Sequence, residues 1–266
     1  MGQLQVLVAT MNQGDFSIVE KMNIACDVVI ANQADREVIE ERVVDGCRHK
    51  MITTKTRGVG LNRNIGLLSA EAEYILFSDD DVVYCDGMQN EVIKAFEENP
   101  QADLLIFGMD IVKNGVVTEK RHLKSKRLHL WNAMRFGTYT IAARRSAILR
   151  GNITFHQLFG GGCMYSAGED TLFLKSCFDQ GLRVYSHEYV LGTCCKDTSS
   201  WFTGYGEKYF YDKGVLVRHL FPRMHYLMAF YFALHFKRET KLSALQRLKL
   251  VLKGVRQGMD MKPYRG

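Results

Sequence analysis

The chain has 266 residues, 47% of them hydrophobic and 24% charged, the balance of an ordinary folded protein; a disordered chain, a collagen-like repeat and a small disulfide scaffold are excluded. Its formal charge of +6 is unevenly placed: from Ser200 to the end, 13 Lys/Arg stand against 4 Asp/Glu, a surplus of +9 that leaves −3 on everything before it. A slightly acidic body with a basic tail points to an anionic partner for the tail, whether a membrane surface, a polyanionic substrate or nucleic acid.

The first half alternates short apolar runs with helical patterns. Residues 4–9 (LQVLVA) read as a strand, 16–22 as a helix, 27–31 (DVVIA) as a second strand and 50–54 as a third. Residues 61–69 read as a helix, and 74–78 (YILFS) as a strand running at once into Asp79, Asp80 and Asp81. A helix at 88–99 and a strand at 102–109 (ADLLIFGM) follow. Strands separated by helical patterns argue for βαβ units in a mostly parallel sheet. Such sheets bind ligands at the carboxyl ends of their strands, where these aspartates stand. Farther on, 138–143 fits a buried strand, 152–167 is loop-like, 169–180 is helical and 184–189 is strand-like.

The C-terminal part changes character. Residues 221–236 (FPRMHYLMAFYFALHF) are dense in aromatics and Met but interrupted by Pro222, Arg223, His225 and His235. A membrane span needs about 20 apolar residues, so this segment is not read as transmembrane. A basic helix at 242–258 follows, with Leu245, Leu248, Val251, Leu252 and Val255 at helical spacing. Two placements suit the aromatic segment, buried on the body or lying at a bilayer interface, and the basic neighbour favours the second. The organisation expected is a body at 1–218 and a helical extension at 219–266. The N-terminal MGQLQVLVATMN lacks a charged start and a long apolar stretch, so it does not read as a secretory signal. Seven cysteines, an odd number with Cys194 and Cys195 adjacent, read as reduced thiols of a cytosolic protein.

Three constellations carry chemistry. The first is Ser78-Asp79-Asp80-Asp81-Val82. Three carboxylates at a strand end repel one another, and a divalent cation offsets that; Mg²⁺ and Mn²⁺ take oxygen ligands and bridge carboxylates to phosphates. In an extended stretch Asp79 and Asp81 point the same way. The second is Gly168-Glu169-Asp170-Thr171 opening a helix, read either as helix-dipole acids or as a general base opposite the metal. The glycines upstream, Gly160-Gly161-Gly162, let a substrate approach the backbone. The third is Arg57-Gly58-Val59-Gly60-Leu61-Asn62-Arg63-Asn64, a glycine-rich loop leading into a helix whose Arg63 suits phosphate.

In this order these pieces resemble family 2 glycosyltransferases with the GT-A fold. The resemblance covers roughly residues 4–190 and is most specific from Gly58 to Val82, where the family shows Gly-x-x-x-x-Arg-Asn-x-Gly before a strand ending in Asp-x-Asp. It implies an α/β fold, a GT-A-type, Rossmann-like and mostly parallel sheet flanked by helices, with the C-terminal helical extension added. It implies a metal-dependent inverting enzyme that moves a sugar from a nucleotide-diphospho-sugar, a UDP-sugar by expectation, to a hydroxyl of a glycan or lipid-linked acceptor. Asp81 matches the metal ligand, helped by Asp79; Asp79, Asp80, Arg63 and Thr10 match donor contacts. Asp170 matches the catalytic base, and Glu169 orients the acceptor or Asp170. Gly161, Gly162 and Trp201 fall on the acceptor side.

The chain departs from the family at the second strand, which usually ends in acidic residues that read the base. Here it runs into Asn32-Gln33, amides that still hydrogen-bond a base. No Gln-x-x-Arg-Trp motif occurs, so a processive polymer synthase is not expected. His187 and His219 are candidate further contacts to metal or phosphate, against the plainer reading of structural histidines. The tail is expected to hold the enzyme peripherally on the anionic inner face of the cell membrane, with no nucleic-acid partner. The competing reading is a basic-tail membrane or nucleic-acid module carrying a degenerate GT-A domain, which leaves the Asp79–Asp81 cluster unexplained.

Overall fold

A computed structural model describes residues 2–196, 204–258 and 260. The chain opens with β1 (Leu4–Met11), α1 (Ser17–Lys21), β2 (Asp27–Gln33), β3 (Val38–Val44), β4 (Cys47–Thr54) and α2 (Val59–Ser69). It continues through β5 (Tyr74–Asp79), β6 (Val82–Tyr84), α3 (Met88–Glu98), β7 (Leu104–Lys113), β8 (Val116–Arg121) and β9 (Lys126–Arg127). Next come α4 (Leu130–Ala133), β10 (Ile141–Arg144), α5 (Arg145–Arg150), α6 (Glu169–Asp179) and β11 (Val184–Cys195). The helices α7 (Glu207–Leu220), α8 (His225–Leu234) and α9 (Ala244–Gln257) end it.

The strands form one sheet in the order β3-β4-β2-β1-β5-β10-β7-β11-β6, with β8 beside β7 and β9 beside β11. The neighbours β4, β2, β1 and β5 are parallel, as are β7 and β11; β10 runs against both its neighbours. The central strands read as unbroken apolar runs because both faces are covered. Their alternate residues feed two cores: Val6, Val8, Val28, Ile30 and Leu76 on one face, and Leu7, Val29, Ile75 and Phe77 on the other.

From β1 the chain steps one way to β2 and later the other way to β5, so the strand order reverses at β1. A crevice at such a reversal is where open α/β sheets bind ligands. Thr10, Gln33, Thr54 and Asp79 all lie at its carboxyl edge, with Ala9 in register with Asp79.

Four expectations change. Two hairpins appear where the sequence reading placed less: β3–β4 turns at Asp45-Gly46 and β7–β8 at Asn114-Gly115, all four residues with positive φ. Strand β4 begins at Cys47 rather than at 50. Residues 138–140 form a 3₁₀ turn and only 141–144 are strand. The aromatic segment is helical from His225 to Leu234 only, and α7 precedes it.

Helix α7, which spans residue 218, packs on both sides of it. Its Tyr211, Val215, Leu216 and Leu220 join Phe159 and Tyr165 of the body, while Phe210 and Val217 join α8 and α9. It crosses α9 at Gly214 and Gly254, where a Cβ would stand 2.1 Å from Val251 O and Tyr211 O respectively. Helix α8 packs through its small side, Ala229 and Ala233, and turns Tyr226, Leu227, Phe230, Tyr231 and Leu234 outward, with Met224 exposed just before it. Among the described residues no helix is long and apolar enough to cross a membrane, and all seven cysteines are free.

Candidate active site

Three consecutive residues of α2 organise the carboxyl edge. Asn62 donates to Thr10 O at 3.2 Å and Ala31 O at 2.8 Å, tying the ends of β1 and β2 to the helix. Asn64 donates to Phe155 O at 2.8 Å and accepts from Phe155 N at 2.7 Å, which anchors the 152–167 loop. The helix sits this close because Gly60 has no side chain: a Cβ there would lie 2.4 Å from His156 O.

Between those amides, Arg63 is 6% exposed and reaches three carboxylates. Nη2 donates to Asp79 Oδ1 at 2.7 Å, and Nη1 to Glu169 Oε1 at 3.1 Å and Asp170 Oδ1 at 3.0 Å. Its guanidinium lies 5.5 Å from the ring centroid of Phe155, which packs with Phe77 and Phe173 beneath the site. Burial works against the guanidinium charge, but the three carboxylates outweigh it and hold Arg63 charged. Gly160 leaves the room for this arrangement, since a Cβ there would meet the Glu169 carboxyl at 2.7 Å.

Asp170 stands at the start of α6 and takes a hydrogen bond from the Thr138 hydroxyl as well as from Arg63. Burial, then the neighbouring Glu169 charge, pushes its carboxyl up to about 7 against the pull of Arg63 and Thr138. A carboxylate raised in this way is a better proton acceptor at neutral pH than an ordinary one.

The three aspartates do not continue the strand. β5 ends at Asp79 and the chain turns at Asp80–Asp81, so the extended stretch expected to align Asp79 and Asp81 is not formed, although the two carboxyls still interact. Asp80 accepts from Thr10 Oγ1 at 2.6 Å, and Gln13 Nε2 donates to the same hydroxyl at 2.9 Å. Asp81 turns inward beneath β11, whose Cys195 N donates to Asp81 O at 2.8 Å. Burial first, and then the Asp79 charge, raises its carboxyl to about 6.

Among the described residues Asp81 Oδ1 is buried without a hydrogen-bond donor, with the Cys194 thiol beside the carboxyl. An oxygen left so, beside Asp79, fits a hard divalent cation. Among the described residues no three His, Cys, Asp or Glu side chains are placed to hold an ion by themselves. Mg²⁺ in particular keeps water or substrate phosphate oxygens besides one or two carboxylates.

The remaining candidates fall into groups. Gln33 is buried at the same edge and donates to Gly58 O at 3.1 Å. Asn32 is spent inside the protein: it donates to Gln13 O and Thr53 Oγ1 and accepts from Gln13 N, so its amide is not presented to a base. Gly161 and Gly162 lie in the loop beside α2, where Val59 N donates to Gly161 O at 2.9 Å. Trp201 lies outside the described residues. His187 packs on Phe107, and His219 on Phe159 and His156, so both make ring contacts away from the carboxylate cluster.

The sequence reading missed two cations. Lys196, just after β11, lies 4.9 Å over the ring of Tyr139 and interacts electrostatically with Asp81. Lys213 of α7 is pushed down by burial while the Glu169 charge acts in the other direction. No local pattern flags either; a lysine directly after Cys194-Cys195 and another on an amphipathic helix look like solvated charges.

Comparison with known proteins agrees with this arrangement. Residues 8–164 match the family described as Glycosyl transferase family 2. No curated protein sequence matches the chain. Among solved structures, residues 1–349 of S. aureus TarS in complex with UDP-GlcNAc superpose with a TM-score of 0.61 at 15% identity, covering 97% of this chain and 73% of that one. The same TarS fragment with UDP gives 0.59 at 15% identity, covering 97% and 72%. TarS at greater length gives 0.57 at 16% identity, covering 96% of this chain and 43% of that one. The GT-A fold is thus shared, and with more than half of its length matched, the chain belongs to glycosyl transferase family 2 and is a glycosyltransferase.

Proposed function

We propose that the chain is a metal-dependent, inverting transferase that moves a sugar from a nucleotide-diphospho-sugar to a hydroxyl of a glycan or lipid-linked acceptor. The observation that carries this reading is the gathering of Asp79, Glu169 and Asp170 around one buried arginine at the strand-order reversal. A UDP-sugar is the donor favoured, since the TarS structures that share this fold hold UDP or UDP-GlcNAc.

In this reading Asp170 takes the proton from the acceptor hydroxyl as its oxygen attacks C1 of the donor, and the nucleoside diphosphate departs from the opposite face. Thr138 and Arg63 hold the Asp170 carboxylate, and Glu169 orients the acceptor or Asp170. Thr10, Gln33, Arg63, Asp79 and Asp80 line the donor side; Gly161 and Gly162 leave space for the acceptor. Asp81, with Asp79, would hold Mg²⁺ or Mn²⁺, which as a Lewis acid neutralises charge on the leaving diphosphate.

The outward face of α8 and the basic α9 support peripheral attachment to the anionic inner face of the cell membrane, which suits a lipid-linked acceptor. The test is to incubate the protein with Mn²⁺ and a panel of nucleotide-sugars and acceptors, and read the product's anomeric configuration by NMR. Consumption of a UDP-sugar with configuration opposite to that of the donor is expected. Retention of configuration, or consumption unchanged in Asp170→Asn, overturns it.

A further inference from the structure

Strand β3 ends the sheet on one side. Its pairing with β4 runs unbroken from Val38↔Thr53 to Val44↔Cys47, so no bulge turns this edge aside, and no proline interrupts it. Among the described residues no strand pairs with the main-chain groups on its outer side. Edge strands are usually guarded by shortness, by bulges, by proline or by charges that repel a neighbour. The other end of the sheet has such a guard, since β6 is only three residues long.

β3 is seven residues long. It exposes Val38, Ile39, Val43 and Val44, with Ile39 at 64% and Val43 at 68%. Its charges are of both signs, and their order is self-complementary: Val38-Ile39-Glu40-Glu41-Arg42-Val43-Val44. Two copies set antiparallel about an axis at Glu41 place Ile39 opposite the partner's Val43, Val38 opposite the partner's Val44, and Glu40 opposite the partner's Arg42. Opposed apolar and opposite-charge pairs of this kind stabilise antiparallel strands.

Both charged side chains have loose partners of their own, with which an opposed strand would compete. Glu40, 41% exposed, has its Oε2 4.0 Å from Arg36 Nη2. Arg42 donates from Nε to His49 Nδ1 at 3.3 Å and from Nη2 to Phe16 O at 3.5 Å. Only Glu41 meets a like charge on the axis, and it is offset within each chain by Lys50 Nζ at 3.0 Å and Arg48 Nη2 at 3.6 Å.

We propose that the partner of this edge is a second copy of the chain: β3 pairs with its counterpart antiparallel about a two-fold axis at Glu41, and the sheet continues across the dimer. A two-fold contact of this kind uses the same patch on both subunits, which a self-complementary strand provides. It goes beyond the catalytic reading and does not depend on it.

The test is sedimentation of the full chain across the micromolar range. The wild-type mass is expected to rise from 30.4 kDa to twice that value with concentration. Ile39→Lys and Val43→Lys, both at exposed positions, are expected to hold the mass at the monomer value with unchanged circular dichroism. Glu40→Arg and Arg42→Glu are each expected to be monomeric alone and to form a 1:1 dimer when mixed, because the acidic strand then faces the basic one. The double variant Glu40→Arg/Arg42→Glu is expected to dimerise again. A wild type that stays monomeric throughout overturns the proposal, as does a dimer insensitive to the β3 substitutions. So does loss of the dimer on Leu227→Ser/Phe230→Ser, which moves the contact to α8.

Discussion

The strand-end site and the C-terminal helices depart from the usual relation between side chain and water in opposite directions. At the site, charge is buried: Arg63 lies under Asp79, Glu169 and Asp170, and Asp81 keeps a buried oxygen without a donor among the described residues. On α8, apolar surface is exposed: Leu227 at 63% and Phe230 at 51%, beside a helix rich in Lys and Arg. Neither state is favourable alone. On the reading proposed above, each is completed by a ligand: a cation and a diphosphate at the site, and a lipid surface at the helix.

The comparison breaks most visibly at Asp170. Asp170→Asn is expected to lower kcat about 10²–10⁴-fold with the fold intact by circular dichroism. In the wild type the rate should fall as pH drops through about 7. The sign follows from the raised carboxyl, which acts as a base only when deprotonated, whereas an ordinary aspartate would stay competent to about pH 4. An acid limb near pH 4 would contradict the assignment.

Arg63→Met comes next. It leaves three carboxylates without their shared cation, and a loss of about 3–5 kcal/mol in urea denaturation is expected. A variant as stable as the wild type would mean that the three carboxylates do not depend on Arg63.

In the extension, Gly254→Ala drives a methyl into the Tyr211 carbonyl. A loss of about 1–3 kcal/mol is expected, with nucleotide binding at the strand ends retained. The smallest stability effect belongs to Leu227→Ser/Phe230→Ser. The change should stay within about 0.5 kcal/mol per position because both side chains already face water. Binding to anionic vesicles at low salt should nevertheless be lost; unchanged vesicle binding would remove the membrane reading of α8.

Much of the site was legible because its parts are local patterns. Continuous apolar runs marked β1, β2, β5 and β7, and Gly58-x-x-x-x-Arg63-Asn64-x-Gly66 preceded the aspartates as expected. The hairpins at Asp45-Gly46 and Asn114-Gly115 were written in the chain as turn dipeptides, but β3 and β8 are exposed and carry no apolar run to announce them. The roles of Asn62 and Asn64 were hidden. Their partners are main-chain atoms as many as 91 positions away, so only the fold shows that these amides fasten the strand ends and the loop to α2. The link from Arg63 to Glu169 and Asp170 is hidden in the same way, across 106 and 107 positions. Alternation misled at Asp79–Asp81, because it presumes a strand where the chain turns.

On the proposed reading the carboxyl edge binds a nucleoside diphosphate together with a divalent cation. Isothermal titration of UDP, with and without Mn²⁺, on wild type and Asp81→Ala tests it most directly. The account predicts binding that requires Mn²⁺ and is lost in Asp81→Ala while the variant's fold and melting behaviour are kept. Equal binding with and without Mn²⁺, or full Mn²⁺-dependent binding by Asp81→Ala, would contradict it.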